Sequence, residues 1–226
     1  MQLVMRGLAA MILLAICGLS GFVIVADTQR GHAATASVAT PSTTAAIASR
    51  KIDPKPLRLE EVFPQTEIRL VAGAAPYRIG MTHIDTDCDI AATGDLGTVL
   101  RDRRCTQVVR ASLTAPYGGY QVTAGVFNLP DEAGAVQVGD RARRLMEAGD
   151  GTFAAMSAGG PGADPLRQPL AQVGWREHGH YLVYCVIVRP DGKIVRDGDP
   201  YARRITYDLV EAYLGDQILG KRTVQP

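Results

Sequence analysis

The stretch Gly7–Ala26, GLAAMILLAICGLSGFVIVA, constrains the chain more than any other part of it: twenty residues and no charged side chain. As a helix rising about 1.5 Å per residue it would be roughly 30 Å long, matching the hydrocarbon core of a bilayer. The sequence therefore predicts a cytoplasmic stub over residues 1–6, a transmembrane helix over 7–26, and a domain held outside the membrane. Arg6 favours a cytoplasmic N-terminus, although Arg30 on the far side weakens that vote. A cleaved signal peptide is the competing reading. Its apolar core is usually only about 7–15 residues long, but small residues do follow here, at His32-Ala33-Ala34 and Ala34-Thr35-Ala36. Either reading exports the rest of the chain. Cys17 reads as an ordinary apolar residue of the span, because Ile16 stands where a lipidation signal needs a small residue.

After the apolar run the composition shifts to Ala, Thr, Ser and Pro over residues 27–56, with neither a helical nor a strand period. Such a segment buries too little apolar surface to offset its ordering entropy, so it reads as a disordered linker. A flexible coil of about 30 residues reaches roughly 30 Å. The domain proper is expected over 57–226, long enough to bury a core of its own. From Leu57 onward it carries 19 Lys+Arg and 21 Asp+Glu, interleaved, for a net charge of −2. That balance argues against nucleic acid, which selects for a basic cluster. The two arginine-rich runs, Arg101-Asp102-Arg103-Arg104 and Arg141-Ala142-Arg143-Arg144, sit in amphipathic helical patterns and read as solvated faces.

Within the domain, Leu57–Phe63 predicts one or two helical turns ended by Pro64, and Glu67–Ala72 a strand or covering loop. Gly73–Thr93 reads as irregular and polar. Leu96, Val99 and Leu100 give a helical stripe over 94–104. Thr106–Thr114 alternates and is followed by Pro116-Tyr117-Gly118-Gly119 and then Tyr120–Leu129, which together predict a hairpin. Asp131 is an expected N-cap and Gly149 an expected C′ residue for the helix between them. Gly151–Ala158 suggests another strand, and Gly159-Gly160-Pro161-Gly162 a surface loop. Leu170–Glu177 and His180–Arg189 predict a second hairpin, whose later strand is apolar on both faces. Asp199-Pro200 opens a last helix with Ile205, Leu209 and Tyr213 along one side. The expected class is α+β: an antiparallel sheet built from two hairpins, with helices on one face.

Three cysteines lie beyond the apolar run. Cys88 and Cys105 flank the helix over 94–104, and an exported location permits a disulfide between them. Closing a loop of about 18 residues would stabilise by roughly 3 kcal/mol on the chain-entropy argument. Cys185 falls within the apolar strand and reads as a small buried hydrophobe. A nucleophilic Cys185 would need an exposed electropositive setting and a base in reach, and His178 and His180 are poorly placed to serve. His83-Ile84-Asp85-Thr86-Asp87-Cys88-Asp89 imitates the start of a calcium loop. It lacks that loop's glycine and glutamate, Ile90 and Leu96 standing in those places, so turn-forming aspartates are the plainer reading. No catalytic, metal-binding or cofactor-binding residue is assigned, and no ligand-binding residue can be named.

The block from Cys88 to Asp131, CDIAATGDLGTVLRDRRCTQVVRASLTAPYGGYQVTAGVFNLPD, carries the pattern ATGxLGxxL followed by CxxxxRA. It resembles a segment of membrane-anchored extracytoplasmic proteins of high-GC actinobacteria, the similarity covering roughly Cys88–Leu145 and, in layout, the whole chain. That resemblance implies location and architecture only and brings no activity to any residue. The functional expectation is an extracytoplasmic binding or assembly module whose partner is an envelope protein or cell-wall component. The competing classes are an envelope hydrolase acting on wall polymer or peptide, and a sensory ectodomain working through a membrane partner. A concave pocket with converging carboxylates or histidines would favour the enzyme, and a groove or exposed patch would favour binding.

Overall fold

A strand that is apolar on both faces needs cover on both sides, and Tyr181–Val188 receives it. All but the last of its eight residues are buried, and it lies between two paired neighbours rather than at an edge. The computed structural model describes residues 45–156 and 171–224. The predicted span over 7–26, the earlier part of the linker and the Gly159–Gly162 loop lie outside the described residues. Among those described, no helix is long and apolar enough to cross a membrane.

In chain order the elements are α1 (Leu59–Val62), β1 (Glu67–Ile68), β2 (Tyr77–Asp85), β3 (Ala92–Gly94), α2 (Asp95–Asp102), β4 (Gln107–Thr114) and β5 (Gln121–Asn128). Then follow α3 (Glu132–Ala148), β6 (Gly151–Phe153), β7 (Gln172–His178), β8 (Tyr181–Val188) and a C-terminal helix over 200–223. Six strands form one antiparallel sheet in the order β1-β2-β4-β5-β8-β7, and β3 pairs with β6 in a separate small ribbon. The mixed α+β class and both expected hairpins are present, β4–β5 and β7–β8. The caps of α3 form as the sequence indicates: the Asp131 carboxylate accepts from the Gly134 amide, and Gly149 takes a left-handed conformation.

Four expectations need correction. Helices cover both faces of the sheet rather than one. On one face Leu96, Leu100, Val138 and Ala142 pack against Val108, Phe127 and Tyr184. On the other, Val62, Ile205, Leu209 and Ile218 pack against Val109, Val126 and Val183. Second, the stretch read as irregular contains β2, nine residues long and paired along β4. A register shift between Ile79 and Met81 breaks its alternation, so a period-2 search loses the strand at Gly80. Third, the strand expected over 151–158 ends at Phe153 and pairs with β3 outside the main sheet. Fourth, residues 45–56 belong to the folded unit and not to a linker. Ile47 is fully buried in the core, and its carbonyl accepts from the His180 amide at 2.8 Å.

The C-terminal helix is α-helical over Pro200–Thr206, π-helical over Tyr207–Leu219 and α-helical again over Gly220–Thr223. Bonding from i to i+5 widens each turn beyond the 3.6 residues of an α-helix. Its buried apolar positions follow suit: Ile205 is followed by the pairs Leu209-Val210, Tyr213-Leu214 and Ile218-Leu219, four to five residues apart. The wider turn keeps them all on the side facing the sheet.

Candidate functional site

The loop Ile52–Pro56, the start of α1 and the end of the C-terminal helix enclose a cleft of about 620 Å³, within the usual size range of small-molecule sites. Its floor is Arg222, whose side chain is only 9% exposed. Arg222 donates through Nε and Nη2 to the two Glu61 carboxylate oxygens at 2.6 and 2.8 Å. Through Nη1 it reaches both Asp53 oxygens at 2.9 Å, the Lys55 carbonyl at 2.8 Å and the Tyr181 hydroxyl at 3.0 Å. Tyr181 in turn donates to Asp53 at 2.7 Å. Burial by itself would lower the Arg222 pKa, but bonding to Glu61 and Asp53 outweighs it and raises it. Burial would likewise raise Glu61, yet the Arg222 hydrogen bonds and charge hold it below the usual carboxylate range. Arg222 and Glu61 are thereby held as ions, and with Asp53 the network ties the lead segment, α1 and the C-terminal helix together.

The cleft's available charge lies on its rim. Lys55, Arg58 and Lys221 line it and are exposed, and among the described residues none of the three forms an ion pair. Ile52, Pro54, Pro56 and Ile218 supply an apolar wall. Behind the floor sits His180, fully buried, with neither ring nitrogen hydrogen-bonded and Nε2 3.9 Å from Asp53. Burial pulls its pKa down to about 4, partly offset by the Asp53 charge. Its backbone explains its place: the amide donates to Ile47 and the carbonyl accepts from Leu129, so the ring is pinned beneath the lead segment.

A second recess, of only about 70 Å³, gathers Arg176, His178, Glu211 and Asp216 beside the π-helical turn. Carboxylates and a histidine do converge there, but Arg176 already pairs with Glu211 at 2.7 Å and the space holds little more than water. A third polar centre is closed. Buried Asp208 accepts from Tyr77, Tyr117 and Arg204 at 2.8, 2.9 and 2.8 Å, so its lone pairs are used internally.

The residues weighed in the sequence fall as follows. Cys88 and Cys105 form the disulfide, with Cα atoms 6.2 Å apart. It joins the 3₁₀ turn Cys88–Ala91 to the entry of β4. Cys185 is free and fully buried, its thiol facing the Thr206 hydroxyl at 3.7 Å. Burial pushes its thiol up to about 11, away from a nucleophile's range. The Asp85, Asp87 and Asp89 loop is a chain of turns. Asp85 accepts from the Asp87 amide, Asp87 from the Asp89 amide, and Asp89 pairs with Arg101. Among the described residues, no group of three or more metal-ligating side chains is placed to hold an ion. Sequence reasoning missed the cleft because Asp53 and Lys55 lay inside the presumed linker. Arg222 meets its carboxylates across 161 and 169 residues of chain, a separation that leaves no local spacing to find.

No protein-family model, curated protein or solved structure matches the chain.

Proposed function

We propose that the chain is a single-pass membrane protein that displays its domain outside the cytoplasm and binds an envelope component through the Arg222 cleft. Membrane attachment rests on the uncharged run Gly7–Ala26. The disulfide between Cys88 and Cys105 supports an oxidising compartment. The observation that carries the binding role is the cleft itself: an apolar wall beneath three exposed cations, over a floor whose own charges are internally satisfied. Such a site attracts an anionic group and does not turn it over, because its carboxylates are committed to Arg222. A partner protein with an acidic segment or an anionic wall polymer fits that chemistry.

The test is capture from detergent-solubilised native membranes, comparing the wild type with the triple variant Lys55→Glu, Arg58→Glu, Lys221→Glu. All three side chains are exposed, so the variant keeps its fold. The wild type should retain one stoichiometric partner that the variant loses. Full-length protein in the soluble cytosolic fraction, with Cys88 and Cys105 both reactive to a thiol reagent, would sink the location. Equal capture by the two forms would sink the cleft.

A further inference from the structure

The loop Ile52–Pro56 that walls the Arg222 cleft is braced before any ligand arrives. At its near end the Ile52 and Asp53 amides donate to the Ser49 carbonyl at 3.0 and 2.9 Å. Just past its far end the Gln107 side chain holds both the amide and the carbonyl of Leu57, at 3.0 and 2.9 Å. Between these points Arg222 donates to the Lys55 and Pro56 carbonyls at 2.8 and 3.2 Å, and the rings of Pro54 and Pro56 fix φ. A wall formed in advance has little ordering entropy left to lose on binding. The same bracing leaves few directional hydrogen bonds to give. Pro54 and Pro56 have no N–H, so among the described residues only the Lys55 amide of this loop is left to donate. No lining residue carries a buried side-chain polar atom without a partner.

A glycan buried here would leave its hydroxyls unmet, which costs free energy for each. What the cleft does offer is of two kinds. Ile52, Pro54, Pro56 and Ile218 are apolar, and Lys55, Arg58 and Lys221 are exposed cations, set against two carboxylates already bonded to Arg222. An anionic wall polymer answers the cations but brings nothing apolar to cover Ile52, which is 58% exposed. A peptide can answer both. We infer that the occupant of the cleft is an acidic peptide segment that also carries an aliphatic side chain. The aliphatic group packs against Ile52 and Ile218, and the carboxylates flanking it pair with Lys55, Arg58 and Lys221. This rests on the binding role proposed for the cleft and selects a protein over a wall polymer as its partner. It does not depend on where in the cell the protein resides.

Full-length protein in detergent micelles is titrated at pH 7 against dye-labelled Glu-Leu-Glu-Leu-Glu peptide, its Glu-Ser-Glu-Ser-Glu counterpart and a glycerol phosphate oligomer of matched charge. Fluorescence anisotropy is read against empty micelles. The leucine peptide should bind saturably and roughly tenfold or more tighter than the serine peptide, the gain from burying an aliphatic side chain. Ile52→Ser should erase that gain and leave the serine peptide's affinity as it was; the exposure of Ile52 spares the fold. Lys55→Glu with Lys221→Glu should weaken both peptides, as should about 1 M salt on the wild type, which screens charge without a substitution. Equal binding of the two peptides overturns the assignment, as does tighter binding of the glycerol phosphate oligomer; in either case weakening by the charge reversals still upholds the cleft as an anion site. Binding of none of the three overturns the inference, and capture from native membranes then decides the cleft on its own.

Discussion

Arg222 spends its guanidinium on two carboxylates, a hydroxyl and backbone carbonyls, so its value lies in what its removal would strand. Arg222→Ala leaves Asp53 and Glu61 facing each other without a cation, and the expected loss is about 3–5 kcal/mol, measurable by urea unfolding. His180 makes a different demand. Its folded pKa of about 4 lies below the ordinary value of about 6.5, so the unfolded chain takes up the proton more readily. Stability should be insensitive to His180 above pH 6.5, then fall as pH drops from 6.5 toward 4, by about 3 kcal/mol in all. His180→Phe should remove that part of the slope, as denaturant melts across the interval would register. Neither residue was legible in the sequence. A histidine beside a turn glycine looks solvent-facing until Ile47, more than a hundred residues earlier, is seen to cover it.

Elements with local causes were legible. The α3 helix has an Asp131 cap and a Gly149 stop, and the β4–β5 hairpin has its Gly118-Gly119 turn with both glycines at positive φ. The disulfide was legible because two cysteines flank one short helix in a chain expected outside the cytosol. Its reduction should lower stability by roughly 3 kcal/mol, seen as a shift of the unfolding midpoint under dithiothreitol that a Cys88→Ser, Cys105→Ser double variant no longer shows. Elements shaped by their neighbours were not legible. β2 needs β4 to reveal it, since its bulge at Gly80 spoils the alternation. The ribbon β3–β6 depends on Gly94, whose φ is +58° and where a Cβ would lie 2.0 Å from the Asp150 carbonyl oxygen. Gly94→Ala should therefore cost about 2 kcal/mol or more, against a smaller loss for Gly192→Ser, where φ is also left-handed at +68° but no atom lies within reach of a Cβ.

At the scale of the molecule, the boundary of the folded unit carries the clearest consequence. The unit runs from Thr43, and its first dozen or so residues contribute Ile47 to the core and Asp53 to the Arg222 network. A chain beginning at Thr43 should unfold cooperatively with near-native stability. One beginning at Leu57 should lose several kcal/mol, because Ile47 no longer covers His180 and Arg222 loses a carboxylate. Circular dichroism melts of the two would distinguish them, and equal stability would show that the lead segment is dispensable.

Period, capping chemistry, charge balance and cysteine spacing act over a few residues or over bulk composition. By themselves they determined an α+β domain with two hairpins, a helix with defined ends, a disulfide and an apolar run long enough for a bilayer. Which segments cover which face, where the lead segment docks, and which charges are buried together were decided only in three dimensions. Those outcomes depend on contacts between residues a hundred or more positions apart, such as Asp53 with Arg222 and Tyr77 with Asp208. No short-range pattern in the chain encodes a contact of that kind. The cleft belongs to this second class.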